Sequence, residues 1–229
     1  MNVIIISLDK AKERKEQIES QLKQLNIDAL IYSAFDGANV INPTFGANLS
    51  LNGGYRYGEK FKNGEIGCTL SHIGAITMAK ALKWEYVIII EDDIVLASDF
   101  EKRIKILLKM LPENWEHVFL SGIPRFNSYF LQTNLIQIFQ STEKLSRVDT
   151  TCAYIIRNTI YDKFIKKLTS FETTTDDLIN HFIFRERQIK SFIYFPFVAY
   201  VTDNNNFSYI SNVVNPKMHE SKPFYAEKL

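Results

Sequence analysis

Short apolar runs alternate along this chain with polar stretches of helical period. Val3-Ile4-Ile5-Ile6 is a β-branched run without a polar residue, the pattern of a strand buried on both faces. Residues 10–25 turn polar, but Ala11, Ile18, Leu22 and Leu25 recur at helical spacing among Lys, Glu and Gln. That spacing predicts an amphipathic helix lying on a sheet. Residues 28–35 have the pattern of the next strand, closed by the turn signal Asp36-Gly37. Strand, helix and strand in this order predict the opening of a parallel α/β sheet.

Residues 37–64 break the rhythm with Gly37, Gly46, Gly53, Gly54, Gly58 and Gly64 among several Asn. An irregular segment of this length is expected to be functional or mobile. Ile66, Leu70, Ile73, Thr77 and Ala81 then predict a helix over 65–83, which leads into Tyr86-Val87-Ile88-Ile89-Ile90 and the abrupt stop Glu91-Asp92-Asp93. A helix over 99–111 follows, with Ser98 or Asp99 as cap and Pro112 beyond its end. Strands are expected at 117–121, 135–139 and 152–157, with a Gly-Ile-Pro turn at Gly122. Helices are expected at 158–168 and 176–184, then an aromatic strand at 192–201. From Thr202 onward the chain is Asn-rich and irregular. With no repeat, low-complexity stretch or linker, 1–229 is expected to form one domain. Its class is α/β, a mostly parallel central sheet flanked by helices.

Composition narrows the partners. Lys and Arg number 27 against 26 Asp and Glu, a net charge of +1, so no bulk basic field exists to attract nucleic acid. Cys68 and Cys152 form no disulfide framework, which favours a reducing compartment. The apolar run at the start is short and interrupted by Asp9, unlike a signal peptide. No stretch reaches the roughly 18 apolar residues of a membrane span. A cytoplasmic protein with at most peripheral membrane contact is expected. Composition leaves the 17 Phe and 11 Tyr without a role.

The strongest chemical signal is Glu91-Asp92-Asp93 after the apolar strand. In open α/β sheets, ligands bind at the carboxyl ends of the strands. Three adjacent carboxylates repel unless solvated or neutralised by a cation. Hard oxygen ligands suit Mg²⁺ or Mn²⁺, ions that often hold a diphosphate. A solvated corner with helix-capping acids is the plain alternative. By period-2 alternation Glu91 lies on the other face of the strand from Asp92, which makes it the structural acid.

Two motifs carry a family resemblance: GEIGCTLSH at Gly64–His72, and YVIIIEDDIVL at Tyr86–Leu96. Together they resemble glycosyltransferase family 25, which includes bacterial lipooligosaccharide galactosyltransferases. Ser7-Leu8-Asp9 followed by Glu13-Arg14 is similar to that family's opening pattern, and Ala34-Phe35-Asp36-Gly37 also matches. Thr151-Cys152-Ala153-Tyr154-Ile155-Ile156 resembles its G-T-x-x-Y-I-I strand, and Thr175-Asp176-Asp177-Leu178 its P-V-D-x helix start. The chain departs from the pattern at Thr150 or Thr151, where Gly is frequent, and at Thr174, where Pro is frequent.

The resemblance implies a GT-A-type fold, an inverting mechanism and a UDP-hexose donor, with a lipooligosaccharide-type glycan as acceptor. Asp93, with Asp92, is then the expected ligand of Mn²⁺ or Mg²⁺, and His219 a late ligand unless it is an exposed tail residue. Asp177 is the expected acceptor-side base, with Asp176 as N-cap; both acids merely capping the helix is the alternative. Ser7, Leu8, Arg14 and Asp36 are expected near the nucleotide. Arg14 can otherwise be a solvated helix charge and Asp36 a turn residue. Glu65 and His72, two helical turns apart, are expected to line the donor site, unless His72 is a buried structural histidine. Cys68 is assigned to packing. Tyr55, Tyr57 and Phe61 are candidates to stack on sugar. The rival classes are a nucleotidyltransferase, disfavoured because residues 7–14 contain no Gly, a metal-free glycoside hydrolase, and an inactive binding module.

Overall fold

The computed structural model describes residues 1–40, 55–56, 59–60, 62–126, 137–140, 145–150, 152–171 and 173–201. β1 (Val3–Ser7) leads through α1 (Lys12–Gln24) to β2 (Leu30–Ser33). β3 (Tyr55–Arg56) and β4 (Glu59–Lys60) pair antiparallel inside the segment expected to be irregular. α2 (Asn63–Ala81) runs into β5 (Tyr86–Glu91), β6 (Ile94–Leu96), α3 (Phe100–Met110) and β7 (His117–Phe119). β8 (Ile123–Phe126), β9 (Gln137–Gln140) and β10 (Leu145–Asp149) precede β11 (Ala153–Arg157). α4 (Tyr161–Leu168), α5 (Thr175–Asn180), β12 (Ser191–Phe195) and β13 (Ala199–Val201) complete the described chain.

The central sheet has seven strands in the order β2-β1-β5-β11-β7-β12-β9. All but β11 and β9 run in one direction. The expected class, a mostly parallel sheet flanked by helices, is the observed one. Alternation along β1 divides the core: Ile4 and Ile6 face a cluster with Ala75, Ile76 and Ala79 of α2 and Phe164 of α4. Val3 and Ile5 face Ile18 and Leu22 of α1 and Ile104 and Leu107 of α3. Because helices cover both faces, β1 and β5 read as unbroken apolar runs.

Glycine sets how closely α2 approaches the sheet. A Cβ on Gly67 would stand 2.6 Å from the Phe35 carbonyl oxygen, and one on Gly37 would stand 1.8 Å from that of Asn63. Only unsubstituted backbone permits this approach. It anchors the start of α2 beside the end of β2, at the carboxyl edge of the sheet.

Several expectations need correction. The aromatic strand over 192–201 is two strands, because Pro196 has no N–H for a ladder and the chain turns there. β13 leaves the central sheet and pairs with β6, a short strand directly after the acidic run that periodicity missed. Buried Arg103 of α3 secures this corner, donating to the carbonyls of Pro196 and Phe197. The helix expected over 158–168 begins as a 3-10 turn at Asn158–Ile160. Asp176 is not the N-cap of α5: Thr174 is, and both acids sit in the first turn. Of residues 202–229, including His219, and of Tyr57, Phe61 and the Tyr55 side chain, the expectations lie outside the described residues.

Candidate active site

β1 and β5 are adjacent and parallel, so their carboxyl ends open at the same edge of the sheet. There a cavity of about 220 Å³ is lined by Leu8, Arg14, Asp36, Cys68, His72, Glu91, Asp92 and Asp93, among others. That far exceeds the roughly 10–15 Å³ a single water needs. Its floor comes from strand ends, one wall from α1 and the opposite wall from α2. Residues far apart in sequence meet because parallel strands return the chain to one edge each time.

Glu91 ends β5, and the chain turns at Asp92-Asp93 before β6. Alternation directs Glu91 to the α2 side, where His72 Nε2 lies 3.2 Å from its Oε1. Asp92 is directed to the α1 side. The buried Ser7 hydroxyl donates to its Oδ2 at 2.7 Å, and Arg14 donates to its Oδ1. The guanidinium also stands 3.1 Å from Asp93 Oδ2, so Arg14 clamps both aspartates. Opposite faces did not remove Glu91 from the cavity, since all three acids line it.

Burial raises the Asp92 carboxyl above its ordinary range, against the pull of Arg14 and Ser7. Asp93 is pushed up to about 7, first by burial and then by the charge of Glu91, with Arg14 opposing. One guanidinium does not neutralise three acids. Beside them, Lys10 Nζ pairs with Asp36 Oδ2 at 2.6 Å, and Asp36 Oδ1 accepts the Ala38 amide at 3.0 Å. Lys10 gave no signal in the sequence, because one lysine among several in a polar stretch marks nothing.

Glu65 does not line this cavity. Its Oε2 accepts the Lys62 amide at 2.9 Å and so satisfies the N-cap donor at the start of α2. His72 does line it, buried, with Nδ1 held 2.8 Å from the Tyr154 hydroxyl. Cys68, expected to pack, lies in the cavity wall one turn before His72. Cys68, His72 and Glu91 bring one ligand atom each to within 4.8 Å of one another, a trio able to hold a metal ion. The signal for it was present in the i, i+4 pair of Cys and His, but the partner Glu91 is fixed only by the tertiary fold. Ser7 lies beneath Asp92 as a support; Leu8 is in the wall.

A second cavity opens at the start of α5, lined by Arg147, Asp149, Thr150, Thr174, Asp176 and Asp177. Arg147 Nη2 donates to Asp177 Oδ1 at 2.9 Å, and the Thr173 hydroxyl reaches Oδ2 at 3.4 Å. Asn180 secures the helix by accepting from the Val148 amide and donating to the Val148 and Asp176 carbonyls, each at 2.7 Å. After burial and Glu91, the charge of Asp176 is among those raising the Cys68 thiol. Cys68 of the first cavity meets Thr175, which stands between Thr174 and Asp176 of the second: the Thr175 hydroxyl lies 3.5 Å from Cys68 Sγ and 2.8 Å from the Thr69 hydroxyl.

Among curated proteins, 125 residues are 27% identical to procollagen galactosyltransferase 2 of Homo sapiens, covering 52% of this chain and 20% of that protein. A 126-residue stretch is 29% identical to a probable inactive glycosyltransferase 25 family member 3 of Rattus norvegicus, covering 52% and 22%. The matched stretch thus spans about a fifth of the length of these curated relatives. Among solved structures, a glycosyltransferase involved in the glycosylation of the major capsid of PBCV-1 superposes with a TM-score of 0.47. Its identity is 7%, over 89% of this chain and 95% of that one. A putative glucose-1-phosphate thymidylyltransferase from Bacillus anthracis gives 0.42 at 13% identity, over 82% and 84%. The profile of glycosyltransferase family 25 (LPS biosynthesis protein) matches residues 1–179, a span that takes in Ser7, Arg14, His72, the acidic run and the first turn of α5, and the chain belongs to that family.

Proposed function

We propose that the chain is one transferase domain, 1–229, that moves a hexose, galactose in first place, from a UDP donor to a lipooligosaccharide-type glycan with inversion. The observation that carries this reading is the convergence of Arg14, Asp36, Asp92 and Asp93 on one cavity at the carboxyl edge of β1 and β5. Asp36, three residues beyond the end of β2, is positioned for a ribose or uracil hydrogen bond. Arg14 brings positive charge to the place where a diphosphate needs it.

The residues fit a hard divalent cation by their chemistry. Asp92 and Asp93 offer carboxylate oxygens, and the upward push on Asp93 to about 7 is relieved when a cation approaches. These two would hold Mn²⁺ or Mg²⁺, which when bound supplies Lewis-acid stabilisation of the departing diphosphate. His219 is a further candidate ligand outside the described residues. On the acceptor side, Asp177 or Asp176 takes the hydroxyl proton as the glycosidic bond forms. Arg147 orients Asp177 for that task. Among the described residues no helix is long and apolar enough to cross a membrane, and we place the protein in the cytoplasm with at most peripheral membrane contact.

A second reading, a binding module without turnover, is favoured by the relatives described as inactive. A UDP-release assay with several UDP-hexoses, acceptor sugars and Mn²⁺ separates the two. Turnover is expected with UDP-galactose and loss of it in Asp93→Ala, Asp177→Ala and EDTA. UDP binding without release would establish the module, and pyrophosphate as product would mark a nucleotidyltransferase. Full activity in Asp93→Ala would remove that residue from the metal site.

A further inference from the structure

In the α2 wall of the cavity, a thiol, an imidazole and a carboxylate converge, a donor set unlike the all-oxygen pair Asp92 and Asp93. We propose that Cys68, His72 and Glu91 form a separate site for a soft divalent cation of the Zn²⁺ class, with its open position toward the cavity.

Zinc at about 2.0–2.3 Å from sulfur, nitrogen and oxygen in a tetrahedron sets ligand-to-ligand edges of about 3.3–3.6 Å. His72 Nε2 and Glu91 Oε1 are already 3.2 Å apart, and all three ligand atoms lie within 4.8 Å of one another. Rotamer adjustment of about 1 Å at Cys68 closes the set. Cys68 and His72 stand one turn apart on α2, so the helix fixes their relation before any ion arrives.

The ligands are also supported from behind. A metal-binding imidazole needs its other nitrogen hydrogen-bonded to fix the ring. Tyr154 supplies that partner, its hydroxyl 2.8 Å from Nδ1 and its ring stacked at 5.7 Å. A phenol serves either tautomer. Without a cation, the hydroxyl donates to Nδ1 and Nε2–H donates to Glu91. With one, Nδ1–H donates to the phenol oxygen and Nε2 offers its lone pair. The Thr175 hydroxyl, 3.5 Å from Cys68 Sγ, steadies the third ligand.

Burial and then the charges of Glu91, Asp176 and Asp93 keep the Cys68 thiol protonated without an ion; the same negative charges draw a cation, which displaces that proton as it binds. Thiolate and imidazole select zinc-like ions over Mg²⁺ or Mn²⁺, whereas Asp92 and Asp93 select the reverse. Three protein ligands with a fourth position facing a cavity is the arrangement of an open site rather than a sealed structural one.

The test uses chelator-treated full-length protein titrated with Co²⁺, followed by the thiolate-to-cobalt absorption band. The band is expected to saturate with one equivalent, to be abolished by Zn²⁺, and to resist Mg²⁺. Cys68→Ser should abolish the band and Cys152→Ser should keep it. Tyr154→Phe should weaken binding by about 10–100-fold, the usual cost of losing an orienting partner. In the unaltered protein, Zn²⁺ should slow alkylation of Cys68 by iodoacetamide while Mg²⁺ should not. Absence of the band at stoichiometric Co²⁺, its survival in Cys68→Ser, its loss in Cys152→Ser, or alkylation indifferent to Zn²⁺ would each overturn the site. None of these readouts depends on sugar transfer.

Discussion

Two buried histidines flank Tyr154, and their surroundings differ in an instructive way. His72 and His117 each lie 5.7 Å from its ring centroid, nearly parallel to it. His72 meets Glu91 and forms part of the cavity wall. His117 is enclosed by Phe119 at 4.5 Å and Phe164 at 5.9 Å, with Ser191 Oγ 2.8 Å from Nδ1. Among the described residues its Nε2 has no hydrogen-bond partner. Burial alone drives its pKa down to about 3, so it is held neutral. Equal depth therefore does not make equal roles. A histidine met by an acid at the sheet edge lines a cavity, and one sealed among aromatic rings is part of the core.

The largest expected effect breaks this pair apart. His72→Phe keeps an aromatic ring against Tyr154 but leaves Glu91 without its partner. It is expected to lower UDP release by about 100-fold, a loss of the size seen on removing one aligned polar group from a site. His117→Phe should leave UDP release unchanged.

Stability against pH sharpens the contrast next. His117 has a folded pKa depressed from 6.5 to about 3, so its contribution is present above 6.5 and is lost as pH falls toward 3. Thermal melts of the unaltered protein should fall across that window, and those of His117→Phe should fall less. Asp93 has the opposite sign. Its folded pKa is raised from 3.8 to about 7, so its contribution is present below 3.8 and is lost as pH rises through about 7. Asp93→Asn should therefore melt higher than the unaltered protein at pH values above 7. The gap should close as pH falls toward 4, where both forms are neutral, and a chelated sample shows it best. Partial exposure of the Asp93 side chain, 25%, screens the effect and makes it the smaller of the two. Smallest is Ser191→Ala, which removes the hydrogen bond at His117 Nδ1. It should cost about 1 kcal/mol in denaturant unfolding with UDP release unaltered.

Much of the fold was legible because its strands are covered on both faces. Such strands must be continuous apolar runs, and the helices over them must show one apolar stripe. Residues 3–7, 12–24 and 86–91 follow that rule and were found within a few residues. β6 was missed because a three-residue strand is too short to have a period, and it exists only by pairing with β13. The split of the aromatic strand was marked by Pro196, but hydrophobicity outweighed that mark. At the candidate site, the acidic run was visible and its bonding was not. Arg14 is 78 positions from Asp92, and His72 is 82 from Tyr154. Glu65 and His72 look equivalent on a helical wheel. Glu65 is used at the helix start, where amides need an acceptor, and His72 lies two turns further along, buried against Tyr154 and Glu91 in the cavity wall.

By itself the sequence determined the α/β class, the near-neutral charge, the acidic run at a strand end and the family motifs. These depend on local chemistry and on periods of two and 3.6. Only the tertiary structure decided that Arg14 clamps Asp92 and Asp93, that Arg147 holds Asp177 and that Cys68, His72 and Glu91 meet. Parallel strands bring distant segments to one edge, so the contacts that give each polar side chain its role are made between residues the chain separates.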